Sequence, residues 1–168
     1  MSLTLTELAT RVAREISGAR QVWLDDHLDP AFHAALPPWV RVVSEPDQAT
    51  VAVVVAEQVS VEGTVTTARD ELVVEGPVLA VLPDADTTGE PIVRRLSRPA
   101  VARATRVFTR LGVLEVISEG LLVVELAPGV AATELQRIAL PTLLIPPAVT
   151  EMDLTPPTSE LDRAGDAS

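Results

Sequence analysis

The chain has 168 residues, 47% of them hydrophobic and 2% aromatic, and a formal charge of -11, which suits one domain with a real core and excludes wholesale disorder. All 13 basic residues are Arg; with no Cys and no Lys, thiolate and Schiff-base nucleophiles, Cys-ligated zinc and disulfides are excluded. The acidic balance, with two Trp, two Phe and no Tyr, argues against a nucleic-acid surface, which needs clustered cations or stacking rings.

Leu5, Leu8, Val12 and Ile16 recur every three or four residues, the spacing of one helix face. Thr4 and Glu7 form a capping box before them, and Gly18 is a suitable stop. Gln21 to Leu24 is a short strand candidate. Asp29-Pro30 then opens a brief helix that ends before Pro37-Pro38. Val40 to Val43 and Val51 to Val55 are apolar on successive positions, as in strands buried on both faces. Val59 to Val65 carries a turn at Glu62-Gly63, Pro77 to Leu82 is another buried strand, and Asp84 to Pro91 is a loop.

Arg106 to Thr109, Val113 to Ile117 and Leu121 to Leu126 are three further strands, the last two joined through Ser118-Glu119-Gly120. Thr133 to Ala139 is a short helix and Thr142 to Ile145 a final strand. The pattern predicts a domain over residues 1–145, followed by a Pro- and Asp-rich disordered tail over 146–168. Few crossover helices are evident between Val40 and Leu82, so part of the sheet is left thinly covered and open to a partner. No apolar run reaches the roughly 20 residues of a membrane span. The N-terminus lacks the basic-flanked apolar core of a secretory signal. A soluble, cytoplasmic protein with no membrane or nucleic-acid partner is expected.

The run Leu121-Leu122-Val123-Val124-Glu125-Leu126-Ala127-Pro128-Gly129-Val130 resembles the C-terminal part of the beta subunit of family I CoA transferases, the 3-oxoacid CoA transferase type. Ala132 to Gln136 matches the short Glu-containing helix that follows it in that family. Upstream and in order, Asp86 to Ile92 looks like the family's Asp-Gly-Glu-Pro loop. Ala56-Glu57-Gln58-Val59 with Glu62-Gly63 is similar to its Ala-x-Gln-Val strand and turn. The opening helix, Leu8 to Glu15, is similar to the family's first helix. Val42-Val43-Ser44-Glu45 looks like the strand end that carries Ser-Glu-Asn-Gly. The likeness runs from about residue 5 to 145, colinear with gaps; the Glu-Leu-Ala-Pro-Gly block is its most specific part.

The resemblance implies an α/β fold: a CoA-transferase-like layered domain with a mainly parallel, Val-rich sheet and flanking helices. In the family a glutamate carboxylate attacks an acyl-CoA thioester, and CoA is then held as a glutamyl thioester; Glu45 is the residue at that position. Coenzyme A enters as a substrate, with no permanently bound cofactor. The implied partner is an alpha-type subunit or a second copy of the chain.

The chain also departs from the pattern. Glu45 is followed by Pro46 and Asp47 instead of Asn and Gly, and little remains between it and Val51 of the family's pocket-forming segment. Thr66 to Glu75 lacks the glycines expected before Pro77. Backbone N–H groups of such glycines are suitable oxyanion donors, whereas proline has no N–H.

Three readings follow. The first is a beta-subunit-like CoA transferase using Glu45. The second is a catalytically inactive scaffold or regulatory subunit of the same fold, in which Ser44 to Asp47 is an acidic turn. The third is a sensor domain that binds a small phosphorylated or acyl metabolite at the strand ends.

Arg94, Arg95 and Arg98 form the main basic cluster, suited to CoA phosphates or to a salt-bridged surface. His27 and His33 are six apart and do not share a helical face, so they predict no metal site. Trp23 and Trp39 read as packing residues, and Asp153 to Asp166 as a solubilising acidic stretch. No Gly-x-Ser-x-Gly elbow, Walker A loop or Gly-x-Gly-x-x-Gly occurs.

Overall fold

A computed structural model describes residues 2–84 and 90–157. The first helix, α1 (Leu5–Ile16), is closed by the expected capping box: Glu7 N–H donates to Thr4 Oγ1, and Thr4 N–H to Glu7 Oε2 at 2.8 Å. Its apolar face, Leu8, Val12 and Ile16, is fully buried. Strand β1 (Gln21–Leu24) follows, then α2 (Pro30–Ala34), capped by Asp29. Strand β2 (Arg41–Val42) leads through a 3-10 turn (Pro46–Gln48) into β3 (Val51–Val55). A hairpin, β4 (Gln58–Ser60) and β5 (Thr64–Thr66), turns at Gly63, whose φ is +83°. Strands β6 (Val78–Leu82), β7 (Ile92–Val93) and β8 (Ala102–Arg103) come next, then β9 (Arg106–Thr109), β10 (Gly112–Ile117) and β11 (Gly120–Leu126). The last elements are α3 (Ala132–Gln136) and β12 (Thr150–Glu151).

The main sheet has the order β12-β11-β10-β9-β6-β3-β1-β2, and a smaller one the order β7-β4-β5-β8. In the main sheet β2, β1, β3, β6 and β9 are mutually parallel, while β9-β10 and β10-β11 are antiparallel. The expectation of a mainly parallel sheet with flanking helices thus holds only in part. The Val-rich half is parallel, but the fold is a mixed, sheet-dominated one in which α1 is the single long helix among the described residues. One cluster of buried side chains spans both sheets, with Val59 and Val65 of the smaller sheet as enclosed as Val53 and Val107 of the larger.

Several elements differ from the sequence expectation, each for a physical reason. Val40 to Val43 pairs over only Arg41–Val42, and both are exposed because β2 is the sheet edge; the buried flanks Val40 and Val43 supply the apolar signal. Thr142 to Ile145 is not a strand. It touches the sheet through one bridge, Leu144 to Leu122, while Leu143 N–H is taken by the Gln136 side chain at 2.8 Å.

A disordered tail is expected from Pro146, yet residues 146–157 return to the domain. Strand β12 pairs with β11, Met152 is buried, and Arg14 meets Asp153 at 2.9 Å. Most of the Asp86 to Ile92 match, and the chain from residue 158 on, lie outside the described residues.

Candidate functional site

The parallel half of the sheet positions the candidate residues. A parallel β-α-β connection ordinarily needs a dozen or more residues. Between β2 and β3 the chain crosses β1 with residues 43–50 alone, and the 3-10 turn packs on β1. Pro46 opens that turn and is buried; Glu45 is its N-cap residue, is exposed, and makes no capping hydrogen bond through its side chain. Gln48 N–H donates to the Glu45 carbonyl at 3.1 Å, and Ala49 N–H to the Pro46 carbonyl at 3.2 Å. These backbone donors are therefore spent closing the turn. Proline at 46 removes the amide that would lie next to the Glu45 carboxylate.

At the end of β1 lies a carboxylate to which no sequence motif assigns a role. Asp25 is 1% exposed. It accepts from Val55 N–H at 3.1 Å, from His27 N–H at 3.1 Å, and pairs with His27 Nδ1 at 3.0 Å. Asp25 ties the ends of β1 and β3 together, and His27 covers it from the solvent side. A run of Asp25-Asp26-His27-Leu28-Asp29 reads as an acidic loop, so only the register of β1 against β3 reveals the buried member. His33 stands exposed on α2, apart from this pair.

The basic cluster is dispersed. Arg98 ion-pairs with Glu57 and donates to the Thr67 carbonyl at 3.0 Å, while Arg94 and Arg95 are exposed after β7. Trp23 is core and carries the Arg69 guanidinium 5.0 Å above its ring. Trp39 is half-buried and donates to the Ser17 carbonyl at 3.0 Å.

Three cavities matter. One of about 260 Å³ lies at the C-terminal ends of β3 and β6, lined by Val55, Ala56, Glu57, Leu82, Pro83, Asp84 and Pro91. That is the end at which open parallel sheets commonly hold ligands. A second, of about 200 Å³, lies between Thr66, Thr67, Arg69 and Arg98. The largest, about 660 Å³, opens at the opposite, N-terminal ends of β3, β6 and β9. Glu45 lines none of these three.

No protein-family model matches the sequence, and no curated protein is significantly similar to it. Its three-dimensional structure, however, superposes on solved CoA-transferase-fold proteins, and the chain has that fold. The decarboxylase AibA/AibB matches with a TM-score of 0.67 at 13% identity, over 96% of this chain and 93% of the other. Glutaconate coenzyme A-transferase from Acidaminococcus fermentans matches with a TM-score of 0.69 at 9% identity, over 95% of this chain and 92% of that one. The acyl-CoA transferase YdiF from Escherichia coli O157:H7 matches with a TM-score of 0.66 at 14% identity, over 92% of this chain but 44% of its own. No helix among the described residues is long and apolar enough to cross a membrane.

Proposed function

We propose that this chain is a non-catalytic subunit of the CoA-transferase fold, which acts by pairing with a second polypeptide of the same fold. The setting of Glu45 carries the reading. A carboxylate is a weak nucleophile, and it attacks a thioester only when held in place beside donors for the developing oxyanion. Here the Glu45 side chain is exposed, Pro46 offers no N–H, and the Gln48 and Ala49 amides are spent closing the turn. Thinness of the β2–β3 crossover, a single 3-10 turn, leaves the β2 edge accessible, with Val42 40% exposed there. The AibA/AibB neighbour, named as a pair, fits such an arrangement.

A second reading keeps catalysis at Glu45, with an alpha-type partner or second copy supplying the missing donors. The exposure of Glu45 on an edge favours it, since a partner reaches the carboxylate without displacing this chain. The thioester step distinguishes the two. Carboxylate attack on an acyl-CoA releases CoA thiolate and leaves a mixed anhydride; return of the thiolate to the glutamyl carbonyl frees the acid and leaves a glutamyl-CoA thioester.

The chain is purified with whatever polypeptide accompanies it and incubated with a panel of acyl-CoAs. The tryptic peptide Val42 to Arg69 is then searched for CoA or for the alcohol left by borohydride. An unmodified Glu45, with the activity of the complex unchanged in Glu45→Ala, supports the non-catalytic subunit. A CoA adduct on Glu45 overturns it in favour of the enzyme.

A further inference from the structure

The cavity of about 660 Å³ lies at the N-terminal ends of β3, β6 and β9, away from the strand ends at which the sequence places a metabolite. Its size falls among small-molecule sites. Its apolar lining is Ile16 from the end of α1, Val51 opening β3, Pro77 just before β6, Leu79 on β6, and Val116 on β10. Its rim carries Glu15, Glu115, Arg103 and Arg106.

These four charges are not equivalent. Arg106 bridges the two carboxylates, 3.2 Å from Glu15 and 3.4 Å from Glu115. Glu15 is held again by Arg11 at 3.1 Å. The carboxylates on the rim are thus matched from within the protein. Arg103 is different. It stands where the chain leaves the smaller sheet for the larger, and its Nε donates to the Glu62 carbonyl at 3.1 Å. That bond fixes the guanidinium without neutralising it and leaves the terminal nitrogens as donors. A fixed guanidinium fork beside an apolar hollow is the pattern that recognises a carboxylate with a hydrocarbon body.

We propose that this cavity is a binding site for a short aliphatic carboxylate, its head on Arg103 and its chain against Ile16, Val51, Leu79 and Val116. A single uncommitted cation suits a monoanion. A phosphate dianion would call for a second cation, and Arg106 is already shared between two glutamates. An amine would meet carboxylates that are already paired and would be repelled by Arg103. The site is independent of the subunit reading above, because neither Glu45 nor the β2 edge contributes to it.

Isothermal titration calorimetry of the whole chain with butanoate, hexanoate and octanoate, set against hexanol and hexylamine, tests the proposal. Saturable binding of the acids, stronger with chain length and at least tenfold tighter than the alcohol or amine, is the expected result; a charge-assisted hydrogen bond has about that effect. Arg103→Gln, an exposed change on a two-residue strand, should weaken hexanoate at least about tenfold. Val51→Phe, which fills the hollow, should abolish binding while leaving Arg103 in place. Absence of binding by every acid overturns the proposal, as does equal affinity for hexanol or an unchanged affinity in Arg103→Gln. Should Val51→Phe fail to fold, Arg103→Gln alone decides.

Discussion

Arg11, in the middle of α1, grips Glu125 on β11 through a two-pronged contact, Nε to Oε2 at 2.7 Å and Nη2 to Oε1 at 3.0 Å. Arg11 is nearly buried, lies 5.4 Å from the centre of the Phe108 ring, and also holds Glu15. Burial by itself lowers the Arg11 pKa; the hydrogen bond and charge of Glu125, then those of Glu15, outweigh it and raise the value above its ordinary one. A raised folded-state pKa contributes stability that is present below the unfolded value and fades only as pH climbs through the folded one. The contribution is therefore constant through the neutral range.

Removing Arg11 leaves Glu125 without its cation, while Glu15 keeps Arg106. Arg11→Ala should cost roughly 3 kcal/mol in urea unfolding, the scale of a broken buried pair. Replacing both partners by Leu should recover most of that, because two desolvated charges leave together. A double variant no more stable than Arg11→Ala would show that packing, not the charge pair, holds α1 to β11.

Asp153 follows β12, the edge strand that pairs with β11 in the same sheet. Its carboxyl is held below the ordinary 3.8, first by the hydrogen bond from Thr155 N–H and further by Arg14. A depressed pKa gives stability that is present above the unfolded value and is lost as pH falls through the folded one. Amide exchange at Met152, whose N–H donates to the Leu126 carbonyl at 2.8 Å, should hence accelerate as pH drops below the carboxyl range, after correction for intrinsic rates. Asp153→Asn should reproduce the loosening at neutral pH. Equal protection in both proteins would mean that β12 is held by Met152 burial alone.

What was legible in the sequence follows the strength of local signals. Helix α1, with its capping box and 3.6-residue period, and the valine runs of β3 and β6 stand almost as expected because propensity, pattern and burial agree there. Strands β7, β8 and β12 have two residues each, too few to show a period. Their existence depends on what lies beside them in space: Val59 draws in Ile92, and Glu125 draws in Thr150. The candidate site was legible only as a position. Ser44-Glu45 pointed to a strand end, and the structure puts it on an edge, but the buried carboxylate of Asp25 emerges only from the pairing of β1 with β3. Likewise the cavity at the N-terminal strand ends gathers residues from Glu15 to Val116, a set no linear motif contains.

Gly76 reports on the loop that carries the chain from β5 back to β6. A Cβ built there would sit 1.9 Å from the Thr50 carbonyl oxygen, a backbone atom that cannot rotate away. Gly76→Ala should consequently destabilise the protein by roughly 2 kcal/mol, in the range of overpacking penalties. At Gly63 the added Cβ would meet the Val116 side chain, its two methyls at 2.6 Å and its Cβ at 3.1 Å, and the positive φ adds strain. Trimming Val116 in a Gly63→Ala, Val116→Ala double variant should relieve the clash, whereas no side-chain trimming at residue 50 can rescue Gly76→Ala. Thermal unfolding of the four proteins tests the contrast, and an undiminished Tm in Gly76→Ala would show that the loop and Thr50 separate freely.

Asp25 and Glu45, two carboxylates at the ends of neighbouring parallel strands, should respond to substitution in opposite ways. Asp25→Ala leaves Val55 N–H without its acceptor in the interior, which should cost about 2 kcal/mol. Glu45→Ala removes an exposed side chain that makes no capping bond, and should shift stability by no more than about 0.5 kcal/mol. Chemical denaturation of each variant gives both numbers. The asymmetry decides how function is to be probed. A defect in partner binding or CoA transfer in Glu45→Ala is attributable to that carboxylate, because the fold is unperturbed; the same defect in Asp25→Ala reflects loss of the clip between β1 and β3. A Glu45→Ala variant as unstable as Asp25→Ala would show instead that the acidic turn is a fold element, and would remove Glu45 from both functional readings.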